Sequence, residues 1–129
     1  MPHFIIEASS NLKPRVDFTA VSKVVHQAIL ESGLFEIGAI RVRVHLSDDY
    51  AIADLDDRNA FVDMSFRIGA GRSAEEKKRV GEAIMAAVKA ELLDLFHEPH
   101  FALSLEIREI DPALSWKDNA MHARLRGGQ

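Results

Sequence analysis

The second residue of the chain is its first candidate for chemistry. The sequence begins Met-Pro, and we expect Met1 to be removed because the side chain that follows it is small. Pro2 would then carry a free secondary amine, which is both a nucleophile and a base. An ordinary α-amino group has a pKa of about 8, and a site of low polarity with cations nearby lowers the pKa of an amine. A base poised near neutral pH suits proton transfer from an enol. The alternative is structural, because proline is tolerated as the first residue of a strand.

Two arginines form the second candidate, a binding site for acids. Arg41 and Arg43 are two residues apart in an alternating segment, which places both side chains on one face of a strand. Like charges so close repel unless an anion or an acidic side chain lies between them. Because guanidinium groups bind carboxylates through paired hydrogen bonds, the pair suits a substrate with two or three carboxylates. Pairing with Glu106 or Asp63 across the sheet is the alternative.

A third candidate lies at the turn that precedes the second helical segment. Arg72 stands between Gly71 and Ser73, where a strand pattern gives way to a helix pattern. The free N–H groups at the start of a helix favour anions, and Arg72 adds a full positive charge. The alternative is a capped helix beside a solvated arginine.

Composition excludes several classes of protein. The chain has 129 residues, of which 47% are hydrophobic and 28% charged, as expected of one globular domain spanning residues 1–129. Sixteen basic against twenty acidic residues argue against nucleic-acid binding and against attachment to an anionic membrane. The absence of cysteine excludes disulfides and thiolate chemistry. No secretory leader pattern opens the sequence, so we expect a cytoplasmic protein.

The histidines do not predict a metal site. His97 and His100 are spaced like ligands, but Pro99 prevents one continuous helix from presenting both. We therefore expect no metal site.

The hydrophobic pattern repeats along the chain. A short apolar strand, a helix with Asp17 as its N-cap and an alternating strand fill residues 2–46. After a polar loop, the same order of strand, helix and strand fills residues 59–110, with Ser73 and Glu76 forming a capping box at the helix start. A C-terminal tail, residues 111–129, follows. The pattern predicts an internal pseudo-repeat of two β-α-β units.

Two such units predict an α+β fold, with a four-stranded sheet and two helices on one of its faces. The opposite face would carry seven polar side chains: Arg41, Arg43, His45, Asp63, Arg67, Glu106 and Arg108. Parallel-type sheets are seldom left uncovered on one side. Either this face is solvated, or several copies of the chain enclose it and seal the strand edges, and we favour the second arrangement.

Four motifs resemble one enzyme family. They are MPHFI at residues 1–5, IRVRVH at 40–45, IGAGRS at 68–73, and LSLEIREI at 103–110 followed by Asp-Pro. Their order and spacing resemble the 5-carboxymethyl-2-hydroxymuconate delta-isomerases. That family belongs to the tautomerase superfamily, with 4-oxalocrotonate tautomerase and macrophage migration inhibitory factor. The resemblance extends from Met1 to about Leu125.

The resemblance implies a homotrimer with its sites at subunit interfaces and an amino-terminal proline as the catalytic acid and base. With Pro2 as this catalytic residue, we expect Arg41 and Arg72 to act with it by holding carboxylates or the developing oxyanion of the substrate, and Arg43 to be a further substrate-binding residue. The substrate would be a small polycarboxylate enol from the breakdown of homoprotocatechuate, and no cofactor would be needed. The loop at residues 48–59 and the tail at 115–126 match the family less clearly.

Other functions are compatible with the same residues. A tautomerase could act on another 2-hydroxydienoate or on a phenylpyruvate-like enol. A non-catalytic trimeric module could bind a carboxylate without converting it, and a purely structural trimer would bind no ligand.

Overall fold

A computed structural model describes residues 2–127, so the expected removal of Met1 lies outside the described residues. Within these residues, four strands and three α-helices follow one another. They are β1 (His3–Ser9), α1 (Phe18–Glu31), β2 (Arg41–Ser47), β3 (Ala60–Gly69), α2 (Ala74–Glu91), β4 (Phe101–Ile110) and α3 (Ala120–Gly127).

Both α1 and α2 begin where the sequence signals predict. The side chain of Asp17 accepts a hydrogen bond from the backbone N–H of Ala20 at 3.1 Å and caps α1. Gly33 follows the end of that helix with a φ of +72°, a conformation that glycine adopts without steric cost. Ser73 and Glu76 form both hydrogen bonds of the capping box at the start of α2.

The sheet has the strand order β2-β1-β3-β4. Strands β1 and β2 are parallel and joined through α1, and strands β3 and β4 are parallel and joined through α2. The two central strands, β1 and β3, are antiparallel, with His3 opposite Arg67 and Ala8 opposite Val62. The predicted α+β sheet with two helices on one face is confirmed.

The hydrophobic core lies between the sheet and the pair α1–α2. Alternate residues of β1 and β3 point into it, because strand side chains alternate between faces. Its largest fully buried side chains include Phe4, Phe66, Ile6, Met64, Ile29 and Ile84. The other sheet face carries the predicted polar residues, because the strand register places them beside one another on that face.

Among the described residues, the tail contains an α-helix that the sequence pattern did not predict. Its helix, α3, packs against a short 3₁₀ turn, Ile37–Ala39, that precedes β2. Over residues 2–127, no helix is both long enough and apolar enough to cross a bilayer.

Candidate active site

The strand directions bring three separate segments to one end of the sheet. Because β1 and β3 are antiparallel, the start of β1 lies beside the end of β3, with His3 opposite Arg67. Because β1 and β2 are parallel, the start of β2 lies there as well, with His3 opposite Arg41. Pro2 comes directly before β1, and Arg72 comes three residues after β3. Residues that are 70 positions apart in the sequence therefore meet.

Pro2 is buried at this end. Its carbonyl oxygen accepts a hydrogen bond from the backbone N–H of Arg41 at 3.3 Å, which extends the β1–β2 pairing by one residue. Proline fits the first position of a central strand because no N–H is needed there. The strand pairing thus fixes the position of the residue that would carry the amine.

Arg72 is held firmly beside the turn that it follows. Its Nη2 donates to the carbonyl oxygen of Leu34 at 2.8 Å, and its Nη1 donates to that of Gly69 at 3.3 Å. The guanidinium carbon lies 4.0 Å from the centre of the Phe35 ring, a cation–π contact. The alternative of a solvated arginine beside a capped helix is therefore wrong for this side chain, although the helix cap itself is present.

Pro2 and Arg72 line the same cavity, which has a volume of about 500 Å³. That volume suits a small organic acid, since small-molecule sites span roughly 300–1,000 Å³. One wall comes from the segment before β2 and the other from the tail. The lining residues are Pro2, Leu34, Phe35, Glu36, Ala39, Arg72, Lys117, Asp118, Asn119, His122 and Arg126.

The other two predicted arginines do not line this cavity. Arg41 and Arg43 border a separate hollow of about 550 Å³ between β2 and α1. The Arg41 Nη1 donates to the carbonyl oxygen of Ala39 at 3.0 Å, and Ala39 belongs to the wall of the Pro2 cavity. Within one chain, the structure therefore joins Pro2 to Arg72, with Arg41 adjacent to them and Arg43 farther along β2.

The open face of the sheet is strongly cationic at the Pro2 end. Arg43 Nη1 lies 3.2 Å from Nδ1 of His3. Partial burial and the nearby charges of Arg67, Arg43 and Arg41 hold the pKa of His3 below its ordinary value. Neutral His3 can accept the hydrogen bond from Arg43. Glu106 pairs with Arg108 on its own strand, and Asp63 accepts from Ser104.

The tail supplies site residues that the sequence analysis did not single out. Arg126 donates to both carboxylate oxygens of Glu36 at 2.6 Å, and this pairing lowers the pKa of Glu36. Asn119 donates to the carbonyl oxygen of Gly38 at 2.8 Å and accepts from the backbone N–H of Met121, so it both caps α3 and anchors it. The available signal was three basic residues at alternate positions, His122, Arg124 and Arg126, but nothing in the local sequence indicates where this segment docks.

The described residues, 2–127, contain no grouping of three histidine, aspartate or glutamate side chains that could hold a metal ion.

The model of one family, 5-carboxymethyl-2-hydroxymuconate isomerase, matches residues 2–125. The chain belongs to this isomerase family. A 5-carboxymethyl-2-hydroxymuconate Delta-isomerase from Escherichia coli is 37% identical over 123 residues, which are 95% of this chain and 98% of the relative. The predicted family membership is confirmed, and the chain is an isomerase.

Solved structures extend the likeness to the fold of the isomerase family. A 5-carboxymethyl-2-hydroxymuconate isomerase from Deinococcus radiodurans R1 is 36% identical with a TM-score of 0.89, covering 95% of this chain and 92% of that one. A second structure described as a 5-carboxymethyl-2-hydroxymuconate delta-isomerase is 29% identical with a TM-score of 0.90, covering 100% of this chain and 95% of that one.

More distant structures share the fold alone. A macrophage migration inhibitory factor-like protein from Entamoeba histolytica is 12% identical with a TM-score of 0.60, covering 91% of this chain and 95% of that one. A fused 4-OT described as a symmetric trimer is 18% identical with a TM-score of 0.58, covering 90% and 93%. The predicted tautomerase-like architecture is confirmed by these likenesses.

Proposed function

We propose that this isomerase converts 5-carboxymethyl-2-hydroxymuconate into 5-carboxymethyl-2-oxo-hex-3-ene-1,6-dioate, a step in the breakdown of homoprotocatechuate. The observation that carries the proposal is the shared cavity of Pro2 and Arg72 in a chain of this family. The cavity has the volume for a six-carbon acid with a two-carbon arm. A fixed guanidinium on its wall suits an anionic substrate.

The reaction moves one proton and two double bonds. The neutral amine of Pro2 takes the proton of the 2-hydroxyl group, and the O–H electron pair forms the C2 carbonyl. The C2–C3 double bond shifts to C3–C4, and the C4–C5 pair accepts the proton from Pro2 at C5. Atoms and charge balance without an oxidant or a cofactor. Because one base takes and returns the proton, its pKa must lie near the working pH.

Arg72 would hold a carboxylate or the oxyanion that develops at C2. Removing a single donor of this type typically slows an enzyme by about 10²- to 10³-fold. The guanidinium of Arg72 is fixed by two carbonyl oxygens and an aromatic ring before substrate arrives. Because the guanidinium is already in place, it does not have to move during the reaction.

Arg41 and Arg43 act at a subunit boundary in this proposal. We propose a homotrimer in which the open sheet faces are enclosed and the strand edges are paired. Arg41 would act as a second catalytic cation. It would serve either the Pro2 cavity of its own chain, which Ala39 lines, or the Pro2 cavity of a neighbouring copy. Arg43 would serve as a further substrate-binding residue. The like charges gathered around His3 favour an anion or an acidic group from another copy at this face.

The state of the amino terminus tests the proposal directly. Protein whose mature chain begins at Pro2 is compared, by intact mass and by ultraviolet absorbance of the dienol, with protein that carries one extra residue before Pro2. We expect the processed form to be active and the extended form to lose activity by at least about 10²-fold, because an amide nitrogen is not a base. Equal activity of the two forms would overturn the role of Pro2.

A further inference from the structure

The tail closes one side of the Pro2 cavity, and it does so through specific contacts. Asn119 is bonded to the carbonyl of Gly38, and Arg126 is bonded twice to Glu36. Gly38 is buried, and a Cβ atom there would come within 3.0 Å of Nδ1 of His122 and 3.4 Å of its backbone nitrogen. The absence of a side chain at residue 38 therefore lets α3 lie directly on the turn before β2.

The charged groups that line the cavity differ in how far they are already engaged. Arg72 is bonded to two backbone carbonyls, and Arg126 is neutralised by Glu36 in a bidentate pair. Lys117 also lines the cavity. Among residues 2–127 its side chain has no ion-pair or hydrogen-bond partner. Of the two tail cations that line the cavity, Lys117 is therefore the one that can bind an anionic ligand without giving up a partner.

The proposed substrate has three carboxylates, one more than the two ends of a simple muconate. Pro2 must reach both the 2-hydroxyl group, where the proton is taken, and C5, where it is returned. Arg72 can bind the carboxylate beside the 2-hydroxyl group. The carboxylate of the carboxymethyl arm then needs a cation elsewhere on the cavity wall, because a carboxylate that loses its hydration without a partner is strongly disfavoured.

We propose that Lys117 is a specificity-determining residue that binds the carboxymethyl carboxylate of the substrate, and that the docked tail positions it there. This inference rests on the proposed function, since it names a role within the same cavity. Lys117 contacts the substrate but takes no part in the proton transfer. The packing of α3 on Gly38 determines whether Lys117 reaches the cavity at all.

A comparison of two substrates distinguishes binding of the carboxymethyl arm from binding of the rest of the dienol. The tricarboxylate dienol and 2-hydroxymuconate, the same dienol without the carboxymethyl arm, are assayed with the wild type, Lys117→Gln and Lys117→Arg. We expect Lys117→Gln to raise KM for the tricarboxylate by about tenfold, as loss of one charge-assisted hydrogen bond predicts, with kcat little changed. KM for 2-hydroxymuconate should stay the same, and Lys117→Arg should restore the affinity for the tricarboxylate.

The matched control is Arg124→Gln, which removes another cation of the tail, at an exposed position on α3 outside the cavity. It should alter neither constant. Gly38→Val, which displaces the tail, should raise KM for the tricarboxylate as Lys117→Gln does, while circular dichroism checks that the sheet and helices remain.

Each remaining outcome counts against a specific claim. If Lys117→Gln leaves KM unchanged for both substrates, or raises it equally for both, the assignment of the arm to Lys117 is wrong while the isomerase function stands. If fully processed wild type converts neither dienol, the proposed function itself fails, and this inference falls with it.

Discussion

Arg72 illustrates how a single charged side chain becomes fixed before a ligand binds. Backbone carbonyls and an aromatic ring hold its guanidinium on three sides. Arginine suits this position because its planar group can donate in several directions and stack at the same time. Lysine would keep the charge but lose the stacking and the fork of donors.

We expect Arg72→Ala to lower kcat and raise KM together, with a total loss of about 10²- to 10³-fold in kcat/KM. Both constants should change because the guanidinium binds the anion in the ground state and in the transition state. Steady-state kinetics on the dienol measures both constants. Arg72→Lys should retain part of the activity.

Arg79→Ala is the matched control for this prediction, because Arg79 is exposed on α2 and does not line the Pro2 cavity. Its kinetics should match those of the wild type. Unchanged kinetics for Arg72→Ala would instead remove Arg72 from the site.

The hydrogen bonds at the start of α2 stabilise the helix and also the turn that carries Arg72. Ser73 accepts a hydrogen bond from the N–H of Glu76 at 3.1 Å, and its own N–H donates to the Glu76 carboxylate at 2.9 Å. These bonds satisfy two backbone donors that have no partner inside the helix. Because Ser73 follows Arg72 directly, the same cap helps to hold the turn that presents the guanidinium.

We expect Ser73→Ala to lower the free energy of unfolding by about 1 kcal/mol, because a helix N-cap is lost. Urea denaturation at one fixed protein concentration measures this change. Lys78→Ala, at an exposed position within the same helix, should change stability by no more than about 0.5 kcal/mol. A Ser73→Ala protein as stable as the wild type would show that the cap contributes nothing there.

At the scale of the whole molecule, residues 2–127 leave one face of the sheet without a covering layer. The helices α1 and α2 cover the apolar face, and the polar face carries Arg41, Arg43 and Arg67 close to His3. The outer strands β2 and β4 each have a neighbour on one side only in the four-stranded sheet. Assembly of three copies would cover that face and pair those edges.

We expect sedimentation velocity to show a species of three chains at micromolar concentration. If the sites lie at subunit boundaries, dilution that dissociates the trimer should lower the specific activity in parallel with the loss of the trimer, because each site would then lack its neighbour's residues. A monomer that keeps full activity per chain would contradict the placement of the sites at interfaces.

Several features of this molecule are readable from the sequence because they depend on local chemistry. The caps at Asp17 and Ser73 follow from side chains that bond to nearby N–H groups, and the alternation around Arg41 and Arg43 follows from the geometry of a strand. The repeated order of strand, helix and strand predicts the two parallel pairs. Motifs at four points along the chain identify the family.

Other features were decided only by the tertiary structure. The antiparallel pairing of β1 with β3 joins Pro2 to Arg72 in one cavity and leaves Arg41 beside it, although the motifs alone rank the two arginines equally. The tail reaches that cavity because Gly38 leaves room for α3 and Glu36 binds Arg126. Local pattern specifies elements and their faces, whereas long-range packing determines which ends of those elements meet.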